Sequence, residues 1–167
     1  TVIAGYVYEY GVIGDTVIQL EEFQQASFIA KVSSEFDVMW VKSFKDIEYL
    51  YITNLFIDSS NQIHIQGYYS GILEDGNIYS ESIEDKTHSF LAKLNQLGEF
   101  TYFNDFDSYG YQMHLTQDQN ENIWLTYTTQ RSNNYYNWRS FITYNNIEYG
   151  DQNDFGTLMI ISKIDDE

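Results

Sequence analysis

The sequence predicts an all-β chain of four-stranded antiparallel repeats, and three observations carry that prediction. The first is composition. Of 167 residues, 18% are aromatic, with 16 Tyr and 11 Phe, and Tyr, Phe, Ile, Val and Thr suit the pleated, half-buried surface of a strand. The second is a stretch that occurs twice. Ser27-Phe28-Ile29-Ala30-Lys31-Val32 returns as Ser89-Phe90-Leu91-Ala92-Lys93-Leu94, an offset of 93 − 31 = 62 residues, and Ile160-Ile161-Ser162-Lys163-Ile164 is a weaker third copy. The third is the lack of any sustained helical period along the chain.

The chain opens with a strand at 1–11, rich in Val, Ile and Tyr in alternation. Gly5-Tyr6 aligns with Gly67-Tyr68 at the same offset of 62, so this strand is the last of a repeat. Gly14-Asp15 and Gly76-Asn77, again 62 apart, place hairpin turn chemistry between repeats, because Gly accepts positive φ. The first complete repeat has strands at 27–32, 38–44, 49–58 and 63–69. Trp40 is expected on one side with Val38 and the stem of Lys42. Asp58-Ser59-Ser60-Asn61 supplies a tight polar turn before the fourth strand. The second repeat places strands at 89–95, 100–106, 111–118 and 123–127. Tyr102 stands for Trp40, Phe106 for Phe44, and Leu97-Gly98 forms the first connection. An Asn- and Tyr-rich insertion fills 131–150, and 156–164 opens a third repeat.

A period of four short strands is the signature of a β-propeller blade. The chain therefore divides into 1–26, a last strand plus hairpin; 27–88, a complete blade repeat plus hairpin; 89–155, a second repeat plus the long insertion; and 156–167, an opening strand. One terminal strand, two repeats and one opening strand cannot close a ring. The expectation is an incomplete part of a larger propeller, completed by other blades of the same polypeptide or by neighbouring subunits, because stacked repeats bury their faces only against each other.

The run Ser-Phe-Ile/Leu-Ala-Lys, a turn, an aromatic strand, and then Asp58 to Gly67-Tyr68 with Ile63-His64-Ile65 resembles the SBBP-type β-propeller repeat family. The resemblance spans nearly the whole chain outside 131–150. Ser27 and Ser89 stand where that family usually has Asp. Leu97-Gly98-Glu99 keeps part of its turn, whereas Ser34-Glu35-Phe36 departs from it, and Tyr127 replaces the Gly supplied by Gly5 and Gly67. The resemblance implies a secreted or cell-surface protein and assigns no activity.

Composition narrows the partners. A hydrophobic content of 43% excludes a disordered chain. A net charge of −17, from 25 acidic and 8 basic residues, disfavours nucleic acid and anionic membrane, both polyanions. A solvated acidic surface is one reading, and a cation or basic partner is the other. Without Cys there are no disulfides or thiolate metal sites, and no apolar run approaches the ~20 residues that span a bilayer. No Asn-x-Ser/Thr sequon is present.

Motifs for chemistry are sparse. His64, His88 and His114 show no zinc spacing. Asn104-Asp105-Phe106-Asp107 could offer Asp105 and Asp107 as oxygen ligands to Ca²⁺, although it lacks the EF-hand pattern; solvated loop charges are the simpler reading. No nucleophile elbow, phosphate loop or dinucleotide motif occurs. The insertion sets Tyr135, Tyr136, Trp138 and Tyr144 among Asn133, Asn134, Asn137, Asn145 and Asn146, with Arg139 as a positive group. Aromatic faces beside amides are what sugar rings and protein partners use. The leading expectation is a non-enzymatic structural or interaction module with no cofactor. A carbohydrate-binding module is the alternative, and a hydrolase with catalytic residues partly outside this segment is the third.

Overall fold

The computed structural model describes residues 1–45, 47–76, 78–82, 87–106, 112–118, 123–129, 142–144, 147–149 and 158–164. They form an all-β, antiparallel structure, as the composition predicts, with no helix and no closed ring of sheets among the described residues. The first sheet has the order β1 (Val2–Tyr8), β4 (Gln25–Val32), β5 (Val38–Phe44), and the hairpin β2 (Tyr10–Ile13), β3 (Thr16–Gln19) lies between its first two strands in sequence. The second sheet has the order β11 (Phe100–Phe106), β10 (His88–Leu94), β7 (Ile63–Ser70), β6 (Tyr49–Ile57), with the hairpin β8 (Ile72–Asp75), β9 (Ile78–Glu81). The third sheet joins β12 (Gln112–Gln117), β13 (Ile123–Thr129) and β16 (Leu158–Ile164), and β14 (Ile142–Tyr144) pairs with β15 (Ile147–Tyr149).

These sheets run half a repeat out of step with the sequence units. Residues 27–88 supply β4 and β5 to the first sheet, and β6 and β7 to the second. The hairpin β8–β9 explains why. It returns the chain so that β10 lies antiparallel beside β7, whereas the short link after Phe44 carries the chain from one sheet to the next.

The repeat is exact in register. Gly5 stands opposite Phe28, and Gly67 opposite Phe90. A bulge falls at Lys31/Val32 and again at Lys93/Leu94. Positive φ recurs at Glu9 and Gly71, Gly14 and Gly76, Phe36 and Gly98, each pair 62 apart. One expectation changes. The bulge puts Trp40 opposite Lys31 but Val38 opposite Val32, so Val38 leaves the Trp40 row.

The core lies between the first two sheets. Ile29, Phe44, Trp40 and Val2 of the first pack on Leu50, Ile63, Ile65, Phe90, Ala92 and Leu94 of the second, with Leu73 and Ile78 of the β8–β9 hairpin added. β12 lies beside β7. β7 and β10 have buried residues on both faces. Gln96 fastens the two sheets. Its side-chain oxygen accepts from Lys31 Nζ, its carbonyl accepts from Trp40 Nε1 at 3.0 Å, and its amide donates to the Asn61 carbonyl.

The turns after Ser33 and Asn95 take the same shape. Ser33 Oγ accepts from Glu35 N and Asp37 N; Asn95 Oδ1 accepts from Leu97 N and Glu99 N. Phe36 has φ 69° where Gly98 has 81°. Phe36 is 88% exposed, so its ring gains almost nothing from burial while its backbone carries left-handed strain. Phe36→Gly is therefore expected to stabilise the chain by about 1 kcal/mol, read from urea unfolding; a loss of stability would show the strain to be absent.

Candidate functional site

Three features of the first two sheets are candidates for function. The first is the outer face of the first sheet. The core row uses Ile29 and Phe44, so Ile3, Phe28, Ala30, Val32, Val38 and Val41 face away from the second sheet. The register equates them with Ile65, Phe90, Ala92, Leu94, Phe100 and Phe103, the face of the second sheet that the first sheet covers. The same apolar row is thus covered in one sheet and partly open in the other. Ile3 is 43% exposed where Ile65 is 1%. The β2–β3 hairpin covers one end of the outer face, with Ile18 against Val7 and Ala26.

The second feature is a polar centre at the equivalent end of the second sheet. Positions 7, 18 and 26 are Val, Ile and Ala, but positions 69, 80 and 88 are Tyr, Ser and His. Asp105 joins them where the first sheet has Ser43, since Asp105 stands opposite Phe90 as Ser43 stands opposite Phe28. His88 Nδ1 donates to Asp105 Oδ2 at 2.9 Å, and Tyr69 Oη donates to the same oxygen at 3.0 Å. Tyr69 Oη and Ser80 Oγ are 2.6 Å apart. The bond from His88, then those from Ser80 and Tyr69, hold the Asp105 carboxyl below its ordinary 3.8 against the upward push of burial. Burial drives the Tyr69 phenol well above its ordinary range. A depressed carboxyl stabilises the fold above its ordinary value, and that contribution is lost as pH falls through 3.8 and below. Acidification across that window is expected to lower the urea midpoint less in Asp105→Asn than in the parent chain. Equal slopes would contradict the assignment.

A second His–Asp pair is structural. His64 Nε2 donates to Asp58 Oδ2 at 2.7 Å, and its ring stacks on Phe56 at 4.6 Å. Asp58 Oδ1 also accepts from Gln62 N at 2.8 Å, closing the turn into β7. Burial pulls His64 below its ordinary 6.5 against the opposing Asp58 bond. Burial pushes Asp58 up, but the His64 and Gln62 bonds outweigh it and lower the carboxyl.

The third feature is a row of tyrosines along the β6 edge. Tyr49, Tyr51 and Tyr68 have ring centroids 4.6 to 5.6 Å apart, Tyr6 lies 6.3 Å from Tyr51, and Tyr8 5.6 Å from Tyr6. Gln25 Nε2 donates to Tyr51 Oη across the two sheets. Tyr6 and Tyr8 are exposed.

Of the residues singled out from sequence, Asp105 lies in the polar centre, bonded to His88 and Tyr69. Tyr144 ends β14, opposite Ile147. Tyr135, Tyr136, Trp138, Arg139 and Asp107 lie outside the described residues. Among the described residues no three His, Cys, Asp or Glu side chains group as a metal site, and no helix is long and apolar enough to cross a membrane. Sequence reading missed Tyr69, Ser80 and His88 as a set. The offset of 62 carried the signal, since it aligns them with three apolar residues. No family model matches the chain, and no curated protein matches it.

Proposed function

We propose that this chain is a non-enzymatic structural and interaction module, one part of a larger stack of repeat sheets of the β-propeller kind, in a secreted or cell-surface setting. One observation carries the reading: the outer face of the first sheet repeats, position by position, the face of the second sheet that is already covered. A surface that buries its equivalent copy against a sheet is shaped to receive another sheet of the same repeat. Apolar contact supplies the driving force, at roughly 25 cal/mol per Å² of surface removed from water.

Paired variants test it. Val41→Arg on the outer face, where Val41 is half-buried beside Val7 and Ile18, is expected to cost about 1 kcal/mol and leave the chain folded, yet to separate it from its natural assembly, read by native mass spectrometry. Phe103→Arg, at the equivalent covered position, is expected to unfold the chain. An assembly that survives Val41→Arg would overturn the reading.

A further inference from the structure

The first two sheets repeat strand for strand, but among the described residues the first is one strand short. The offset of 62 equates β1 with β7, β4 with β10 and β5 with β11. β7 pairs with β10 on one side and with β6 on the other, whereas β1 pairs with β4 alone. No backbone hydrogen bond from a described residue reaches the other edge of β1. That strand, Val2-Ile3-Ala4-Gly5-Tyr6-Val7-Tyr8, carries no charge and no Pro. Bare edges template pairing with another strand, and edges that stay exposed are ordinarily blunted by charge, Pro or a bulge.

Gly5 indicates which strand fits. Its φ is not positive, so the backbone does not require Gly there, and Gly weakens a strand. At the equivalent Gly67 the need for Gly is visible. β6 carries an extra residue, Thr53, between Ile52 opposite Gly67 and Asn54 opposite Gln66. Beside that bulge the Tyr51 carbonyl occupies the space a Cβ on Gly67 would take. At Gly5 a Cβ would meet only the side chain of Phe28. Gly5 thus keeps room for the carbonyl of a bulged neighbour. The side chains agree: Tyr68 stacks on Tyr51 of β6 at 5.4 Å, while its equivalent Tyr6 is 58% exposed.

We infer that the free edge of β1 receives an antiparallel strand of the β6 type, bulged opposite Gly5, from another repeat unit of the same kind. The register of β6 on β7 carries over, so residues equivalent to Leu50, Tyr51, Ile52, Asn54 and Leu55 stand opposite Val7, Tyr6, Gly5, Ala4 and Ile3. Backbone hydrogen bonds supply the affinity, and the bulge over Gly5 supplies the register. The inference rests on the reading of this chain as one part of a larger stack, but its test is separate: Val41→Arg reads the outer face of the first sheet, whereas strand addition reads its edge.

The test adds a synthetic peptide of residues 48–58, Lys-tagged for solubility, to the full chain, with a scrambled peptide of the same composition and tag as control. Amide hydrogen exchange followed by NMR is expected to slow about tenfold at alternate β1 amides with the first peptide and at none with the second. A peptide lacking Thr53 cannot form the bulge and is expected to bind about tenfold more weakly. Gly5→Ala is expected to fold and to lose the protection, because its Cβ meets the bulged carbonyl. Should Gly5→Ala fail to fold, the peptide lacking Thr53 decides on the parent chain. No protection of β1 in the parent chain, equal protection by the scrambled peptide, equal binding without Thr53, or binding that survives Gly5→Ala would each overturn the inference. So would β1 protection without peptide that rises with chain concentration, which would assign the edge to a second copy of this chain.

Discussion

Gly67→Ala is expected to cost the fold about 3 kcal/mol, the upper end of what an overpacked core residue costs. A Cβ at Gly67 would stand 1.9 Å from the Tyr51 carbonyl oxygen and 2.9 Å from the Phe90 ring. The carbonyl belongs to the backbone of β6, which is hydrogen-bonded to β7 on both sides of a bulge between Ile52 and Asn54. It cannot move without breaking that pairing. Gly5 supplies the control. Its Cβ would meet only the Phe28 ring, at 2.9 Å, and Phe28 is half-buried and can turn aside. Gly5→Ala is expected to cost about 1 kcal/mol. Urea unfolding of the two variants separates the causes. Equal losses would mean that the Phe contact, not the carbonyl, decides the cost.

Phe90→Ala is expected to cost about 4 kcal/mol. Phe90 is 1% exposed, stacked on Phe103 at 5.6 Å and edge-on to Tyr69 at 6.1 Å. Removing its ring leaves a void bounded by Gly67, which has no side chain to fill it. Phe28 stands opposite Gly5 as Phe90 stands opposite Gly67, but it packs with Val7 and Val41 in place of Tyr69 and Phe103 and lacks a covering sheet. Phe28→Ala is expected to cost about 1.5 kcal/mol, the transfer of a half-buried ring. The gap between these two values measures what a covering sheet and two aromatic neighbours contribute together. If Phe28→Ala costs as much as Phe90→Ala, the outer face is already as dry as the core.

Much of this fold was legible in the sequence, because one offset organises it. The strands, the hairpins after Gly5-Tyr6 and Gly67-Tyr68, and the turns at Gly14 and Gly76 all follow from alternation and Gly placement. The partition into sheets was not legible. Four strands in a row do not reveal which pair is joined across a hairpin and which is split by a short link, because register and connection length decide that. The turn at Phe36 was hidden for another reason. Ser33 supplies the same two backbone bonds as Asn95, and these hold Phe36 in a conformation that its side chain disfavours. The bulge that turns Val38 outward also lies beyond simple alternation. The polar centre was visible only as a difference between repeats. His88 and Asp105 are 17 residues apart and carry no motif, so only their pairing across β10 and β11 joins them. The tyrosine row likewise draws on β1, β6 and β7, which no spacing rule connects.

Carbene footprinting of the protein isolated from its natural source, against the separate 167-residue chain, tests the central claim most directly. The account predicts that Ile3, Phe28 and Val41 are modified in the separate chain and protected in the natural material, while Ile65 and Phe90 are protected in both. Equal modification of Ile3, Phe28 and Val41 in the two samples would contradict it, and the outer face of the first sheet would then be open surface.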